Sequence, residues 1–277
     1  MMISKMLLMR TLKKVPYGNT INYYLSGENG KRKMFSKLTQ NVENLINEID
    51  GLSNDLLLNE SFMERFIIEK VGLNNEVLTE QPPELSQYFG KGLFLWQNPK
   101  QFSKYLVWLM KNAINCNSYL EIGCRWGGTF IVVCEILRRV NPNFTFAIAA
   151  DIIEPTPFIK HYCKICQKKG FEIIYFQGSS TSDKFADVIM EKKPDITFID
   201  GDHSCLGALK DHMLVRNYSK IIIHHDISSD SCPSTTFLWK SLKELEINRT
   251  SFEFVDQYDS VQGNFLGIGI LSSIHLK

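Results

Sequence analysis

The chain has 277 residues, 44% of them hydrophobic, with 31 Lys+Arg against 30 Asp+Glu for a net charge of +1. That composition excludes a disordered chain, and the near-zero balance argues against a nucleic-acid binder, which needs a basic excess to neutralise phosphates. No apolar run approaches the roughly 18–20 residues that span a bilayer. The apolar part of the opening segment, Met6 to Met9, is too short for a secretory leader, so the expected compartment is the cytoplasm.

The seven cysteines are an odd number, and Cys124, Cys134, Cys163 and Cys166 sit in apolar stretches, as free thiols do in a reducing compartment. Cys163 and Cys166 form a C-x-x-C with His161 nearby. No second pair stands at a zinc spacing, so they read as core-facing residues of one helix. Up to Lys37 there are eight basic residues against one acid, Glu28; from Asn41 to Gly90 there are ten acids against Arg65 and Lys70. Leu38, Val42, Leu45, Ile46, Ile49 and Leu52 recur at helical spacing. A second helix is expected to open at Ser61, with Glu64 closing a capping box and Phe66, Ile67 and Val71 buried. Pro82-Pro83 breaks the chain, and helical spacing resumes over 98–115. These features set residues 1–95 apart as a helical extension, serving as a lid or a homo-oligomer contact, ahead of a second unit at 96–277.

From residue 118 strands and helices alternate. Strand-like runs cover 119–123, 144–151, 172–178, 195–200, 220–226, 251–256 and 265–271. Helix-like segments cover 128–140, 157–168, 182–193, 206–218 and 236–248. Short apolar strands between helices of this length mean βαβ units and a parallel sheet buried on both faces. The last two runs have no helix between them and read as an antiparallel hairpin. The fold class is therefore α/β, a Rossmann-like doubly wound sheet of seven mostly parallel strands with an N-terminal helical extension. Its site is expected at the carboxyl ends of the strands.

Those ends carry acids and glycines. The first strand runs through Glu121 into Gly123, Cys124, Arg125, Trp126 and Gly127. A glycine turn ahead of a helix N-terminus lets a ligand approach the backbone. The G-x-G-x-x-G pattern of a dinucleotide site is absent, and Glu121 would repel a pyrophosphate while suiting a cationic or amino-bearing ligand. Asp151, followed by Ile152, ends the second strand, where an acid can accept both hydroxyls of a ribose. The third strand runs into Gly178, Ser179 and Ser180, a polar turn able to reach an adenine edge.

Taken in this order, Glu121-x-Gly123-x-x-x-Gly127, Asp151, Gly178-Ser179 and the stretch Phe198-Ile199-Asp200-Gly201-Asp202-His203-Ser204 resemble the class I S-adenosylmethionine-dependent methyltransferases. With Ile222-Ile223-His224-His225-Asp226-Ile227 added, the resemblance is to the branch of macrocin-type sugar O-methyltransferases and cephalosporin hydroxylase-like proteins. It covers roughly residues 95–273. Arg125 stands where many members of the class have glycine. The resemblance implies S-adenosylmethionine as cofactor, with Gly123 and Gly127 around its methionine part and Glu121 near its amino group. It places Asp151 at the ribose and Ser179 or Ser180 near the adenine, with Ile152 and Asp200 also in the cofactor-binding set.

The resemblance further implies a divalent metal, magnesium by its usual chemistry, held by Asp200, His225 and Asp226. A hard cation binds carboxylate oxygens, holds an acceptor hydroxyl and lowers its pKa. A base for the proton is then Asp202 or His203, and His203 titrates nearer neutrality. The implied reaction is O-methylation of a small molecule or sugar, free or linked to a nucleotide or polysaccharide. Two other readings stand beside it. His224-x-Asp226 with a distant histidine imitates the two-histidine, one-carboxylate triad of an iron oxygenase, and a non-catalytic cofactor-binding partner subunit is the third. His161, His212 and His275 read as surface or packing residues, and Trp96 and Trp126 as wall residues able to stack on a substrate.

Overall fold

The alternation of apolar runs with helical segments produces one mixed sheet. The computed structural model describes residues 28–74 and 81–274, with side chains from residue 39 onward. Lys5, Arg10, Lys13, Lys14 and His275 lie outside the described residues, and the side chains of Lys31, Arg32, Lys33 and Lys37 are not described. The strands are β1 (Ser118–Ile122), β2 (Phe146–Asp151), β3 (Glu172–Gln177), β4 (Ile196–Ile199), β5 (Ile221–His225), β6 (Thr250–Phe254) and β7 (Ile268–Ser272). Their order is β3-β2-β1-β4-β5-β7-β6, with β7 antiparallel to both of its neighbours. The expected terminal hairpin is thus present, and β7 inserts between β5 and β6. β1, β4, β5 and β7 are buried throughout, whereas β6, at one edge, is largely exposed.

Nine α-helices are found among the described residues: α1 (Glu28–Gly51), α2 (Asn54–Leu57), α3 (Glu60–Phe66), α4 (Pro99–Asn112), α5 (Gly128–Val140), α6 (Pro157–Lys168), α7 (Asp183–Lys192), α8 (Cys205–Val215) and α9 (Pro233–Leu245). One face of the sheet carries the largest apolar cluster. It runs without a break from Val42 and Ile49 on α1, through Met63 and Phe102, to Phe130, Phe158 and Phe198. The other face packs β1, β2, β4 and β5 against α7 and α8, while Leu238, Trp239 and Leu242 of α9 form a third cluster with Leu271. Truncating a fully buried aromatic such as Phe198 costs about 3–5 kcal/mol.

The N-terminal helices are stapled to this layer. The Arg139 guanidinium on α5 donates to the carbonyls of Asp50 (2.8 Å) and Leu52 (2.8 Å) at the end of α1. One local expectation is extended here and another corrected. The amphipathic helix begins at Glu28, ahead of the first apolar residue used to recognise it. The capping box at Ser61 does not form: Asn59 caps α3 by accepting from the Phe62 amide, and Glu64 accepts a 2.6 Å bond from the distant Tyr258 hydroxyl. Phe66, Ile67 and Val71 are buried as expected, and so is Cys166, whereas Cys163 is only partly buried. His161 is paired with Glu43 at 2.9 Å. Among the described residues, no helix is long and apolar enough to cross a membrane.

Candidate active site

The chain order of the strands reverses between β1 and β4, and the crevice at their carboxyl ends is where such sheets bind ligands. A cavity of about 540 Å³ opens there. Of the residues singled out in the sequence, Glu121, Gly123, Gly127, Asp151, Ile152, Ser179, Ser180, Asp200, Asp202, His203, His225 and Asp226 all line it.

One half of the cavity is built by the turn after β1. Gly123 (φ 88°), Arg125 (φ 43°) and Gly127 (φ 88°) all adopt the left-handed conformation. At Gly123 this is obligatory, because a β-carbon would collide with the Asp200 carbonyl. The Asp151 carboxylate secures the turn by accepting from the Arg125 amide at 2.6 Å and from the Ile153 amide at 3.2 Å. Helix α5 starts from Gly127 with no side-chain cap, which leaves its first amides without side-chain partners, and Gly127, Gly128 and Thr129 line the cavity. Glu121 is buried at 2% exposure and accepts a 2.6 Å bond from the Tyr119 hydroxyl. Burial pushes its carboxyl well above the ordinary value, against the opposing pull of that hydroxyl. Ile152 is 73% exposed and offers a flat apolar surface beside Asp151. Phe94 and Trp96, from the segment ahead of α4, add an aromatic wall, and the Arg125 guanidinium lies 4.2 Å over the Trp96 ring.

The other half holds the acids and histidines of β4 and β5. His225 Nδ1 stands 3.0 Å from Asp200 Oδ1 and 3.5 Å from Asp226 Oδ1. His203 Nδ1 lies 3.0 Å from Asp226 Oδ2 and 3.1 Å from Cys232 Sγ, and its Nε2 lies 3.5 Å from Asp200 Oδ1. Asp226 is left-handed (φ 56°), a conformation costly for a non-glycine residue, and its carbonyl is pinned by the hydroxyls of Thr235 (2.9 Å) and Thr236 (3.2 Å). Burial alone would raise the Asp200 and Asp226 carboxyls, but the facing imidazoles outweigh it and hold both below the usual carboxylate range. Burial opposes charge on His225, yet the two carboxylates push it up to about 10. Hydrogen bonds to Asp200, Asp226 and Cys232 raise His203 far above its ordinary value.

The donors of this cluster fit a cation. Asp200, His225 and Asp226 each offer a ligand atom, all within 4.8 Å of one another. His225 Nε2 is buried without a hydrogen-bond partner, and Nδ1 sits between the Asp200 and Asp226 carboxylates, an arrangement of donors a bound ion would satisfy. Asp202 is turned away to other work: its Oδ1 accepts the Ser204 amide at 2.9 Å, and its Oδ2 occupies the space a side chain at Gly207 would need. His224 does not belong to the cluster, so the His224-x-Asp226 triad is not assembled. Alternation along β5 sends its ring to the other face, where Nε2 meets His212 Nδ1 at 3.1 Å and His212 Nε2 meets Glu246 at 3.0 Å. Cys232 went unnoticed in the sequence because it joins His203 across 29 residues; its place just past the β5 end was the available signal.

No family model matches the chain, and no curated protein matches it. Solved structures with a similar arrangement include an O-methyltransferase from Bacillus cereus in complex with SAH. It is 15% identical, with 62% of this chain and 79% of that one covered and a TM-score of 0.42. Another is the O-methyltransferase TomG from Streptomyces achromogenes in complex with SAM, 13% identical over 77% and 96% of the two chains, TM-score 0.47. A third is the MycE methyltransferase of the mycinamycin pathway in complex with Mg, SAH and mycinamycin VI, 16% identical over 62% and 49%, TM-score 0.41. At such likeness, any functional reading rests on the site's own geometry.

Proposed function

We propose that the protein moves a methyl group from S-adenosylmethionine to a hydroxyl of a sugar or other small acceptor, with a divalent ion at Asp200, His225 and Asp226. The observation that carries this reading is the cavity itself. One opening joins an uncapped helix start, a buried acid and a ribose-height acid to a carboxylate–imidazole cluster. Glu121 would take the amino group, Asp151 the ribose, Ile152 an adenine face and Ser179 or Ser180 an adenine edge. Such an ion, when bound, would hold the acceptor hydroxyl and lower its pKa. Were their charge taken up in this way, Asp200 and Asp226 would no longer hold a proton on His203. Its Nε2, the ring nitrogen outside the Cys232 bond, then accepts the hydroxyl proton as the oxygen attacks the methyl carbon and the carbon–sulfur bond breaks. Asp202, engaged with the α8 start, is the weaker candidate for base. Phe94 and Trp96 wall the half of the cavity built by the turn after β1.

Calorimetric titration of S-adenosylmethionine and S-adenosylhomocysteine into wild type and Asp151→Ala tests this. Micromolar binding that the variant loses is the expected result. No heat from either ligand, in protein shown to be folded, overturns the reading.

A further inference from the structure

An O-methyltransferase of this kind asks only for a divalent ion, but the donor atoms distinguish among divalent ions. Carboxylate and water oxygens suit magnesium, which prefers an all-oxygen octahedron. Imidazole nitrogen and thiolate sulfur suit zinc, iron, cobalt and their neighbours. His225 is 5% exposed and Asp226 3% exposed, so the ring is committed to the site rather than swung in from solvent. The Phe198 ring, 6.0 Å away, lies alongside the imidazole. His225 Nε2 has no hydrogen-bond partner, while Nδ1 faces the Asp200 carboxylate at 3.0 Å and that of Asp226 at 3.5 Å. A buried imidazole left so is costly unless a ligand completes it. A second potential ligand group, His203, Asp226 and Cys232, shares Asp226 and adds another nitrogen and a sulfur.

We infer that the site at the ends of β4 and β5 selects a borderline transition-metal ion of the zinc–cobalt–iron(II) class over magnesium, with His225 as the selecting ligand between Asp200 and Asp226. This rests on the methyltransferase reading for the ion's role, but not for its binding. Magnesium in the same place would leave the imidazole a bystander between two carboxylates.

The test is titration of the chelator-stripped full chain with cobalt(II) chloride, followed by visible absorption, alone and against millimolar magnesium chloride. The inference expects saturable bands at one ion per chain that magnesium does not displace. It expects His225→Asn to weaken cobalt binding by roughly tenfold or more, and His225→Asp to let magnesium compete. Displacement of cobalt from wild type by millimolar magnesium, or unchanged cobalt affinity in folded His225→Asn, overturns it. If circular dichroism shows the variants unfolded, the wild-type competition decides alone. S-adenosylhomocysteine binding measured in parallel separates the two proposals. Nucleoside binding without cobalt selectivity overturns this inference only, and cobalt selectivity without nucleoside binding overturns only the methyltransferase reading.

Discussion

The carbonyl of Asp200 rests against the α-carbon of Gly123, leaving no room for a β-carbon. The turn that would cradle the cofactor and the acid that would hold the ion are therefore one packing unit. Gly123→Ala is expected to combine left-handed strain with that collision, costing about 3 kcal/mol or more. A thermal melt reads the loss, and S-adenosylhomocysteine calorimetry should show binding lost with it. A melt unchanged from wild type would contradict the packing described.

Glu121 gives a pH-dependent prediction. Its pKa in the fold is raised by burial, so the fold retains a proton that the unfolded chain releases near 4.5. The stability linked to it is complete below that value and is lost as pH rises through the folded pKa. Glu121→Gln should flatten this decline in melts taken across the acidic-to-neutral range. It should also weaken binding of an amino-bearing ligand by on the order of tenfold, since a bound ammonium would draw off the Glu121 proton and form a charge-assisted bond with the carboxylate that glutamine cannot match.

Asp211 on α8 is 1% exposed. Burial raises it from 3.8 to about 6, against a nearby Ser180 hydroxyl. The sign is again that of a raised acid: stability is intact below 3.8 and declines as pH rises through 6. Asp211→Asn should therefore stabilise the protein at pH above 6 by up to about 3 kcal/mol, with the gain gone at pH below 3.8. Denaturant melts at acidic and neutral pH check it; an equal effect at both would refute it.

Tyr258 ties the loop between β6 and β7 to the N-terminal helices, through its bond to Glu64 and the Lys100 ammonium 4.4 Å over its ring. Tyr258→Phe keeps the ring and removes the hydroxyl. The expected cost is about 1–2 kcal/mol, measured by chemical denaturation.

Most of the sheet was legible because buried parallel strands leave continuous apolar runs, as in Ile221–His225, and helices leave spaced ones. The site residues were legible to the extent that they sit at strand ends. Long-range and backbone features were not. Glu64 reads as a local cap, yet its partner is 194 residues away. Two adjacent histidines look equivalent in the sequence, but strand alternation gives His225 to the cavity and His224 to His212. Nothing in the residue types announces the left-handed turn at Asp226 that aims its carboxylate.

The aromatic wall has a practical consequence. Of the four tryptophans, Trp96 and Trp126 line the cavity, whereas Trp108 and Trp239 are packed in the core away from it. The site thus contains its own optical probe. With Trp108 and Trp239 replaced by phenylalanine, intrinsic emission would come from the binding wall alone, and occupancy by cofactor or acceptor could be followed in real time without any label.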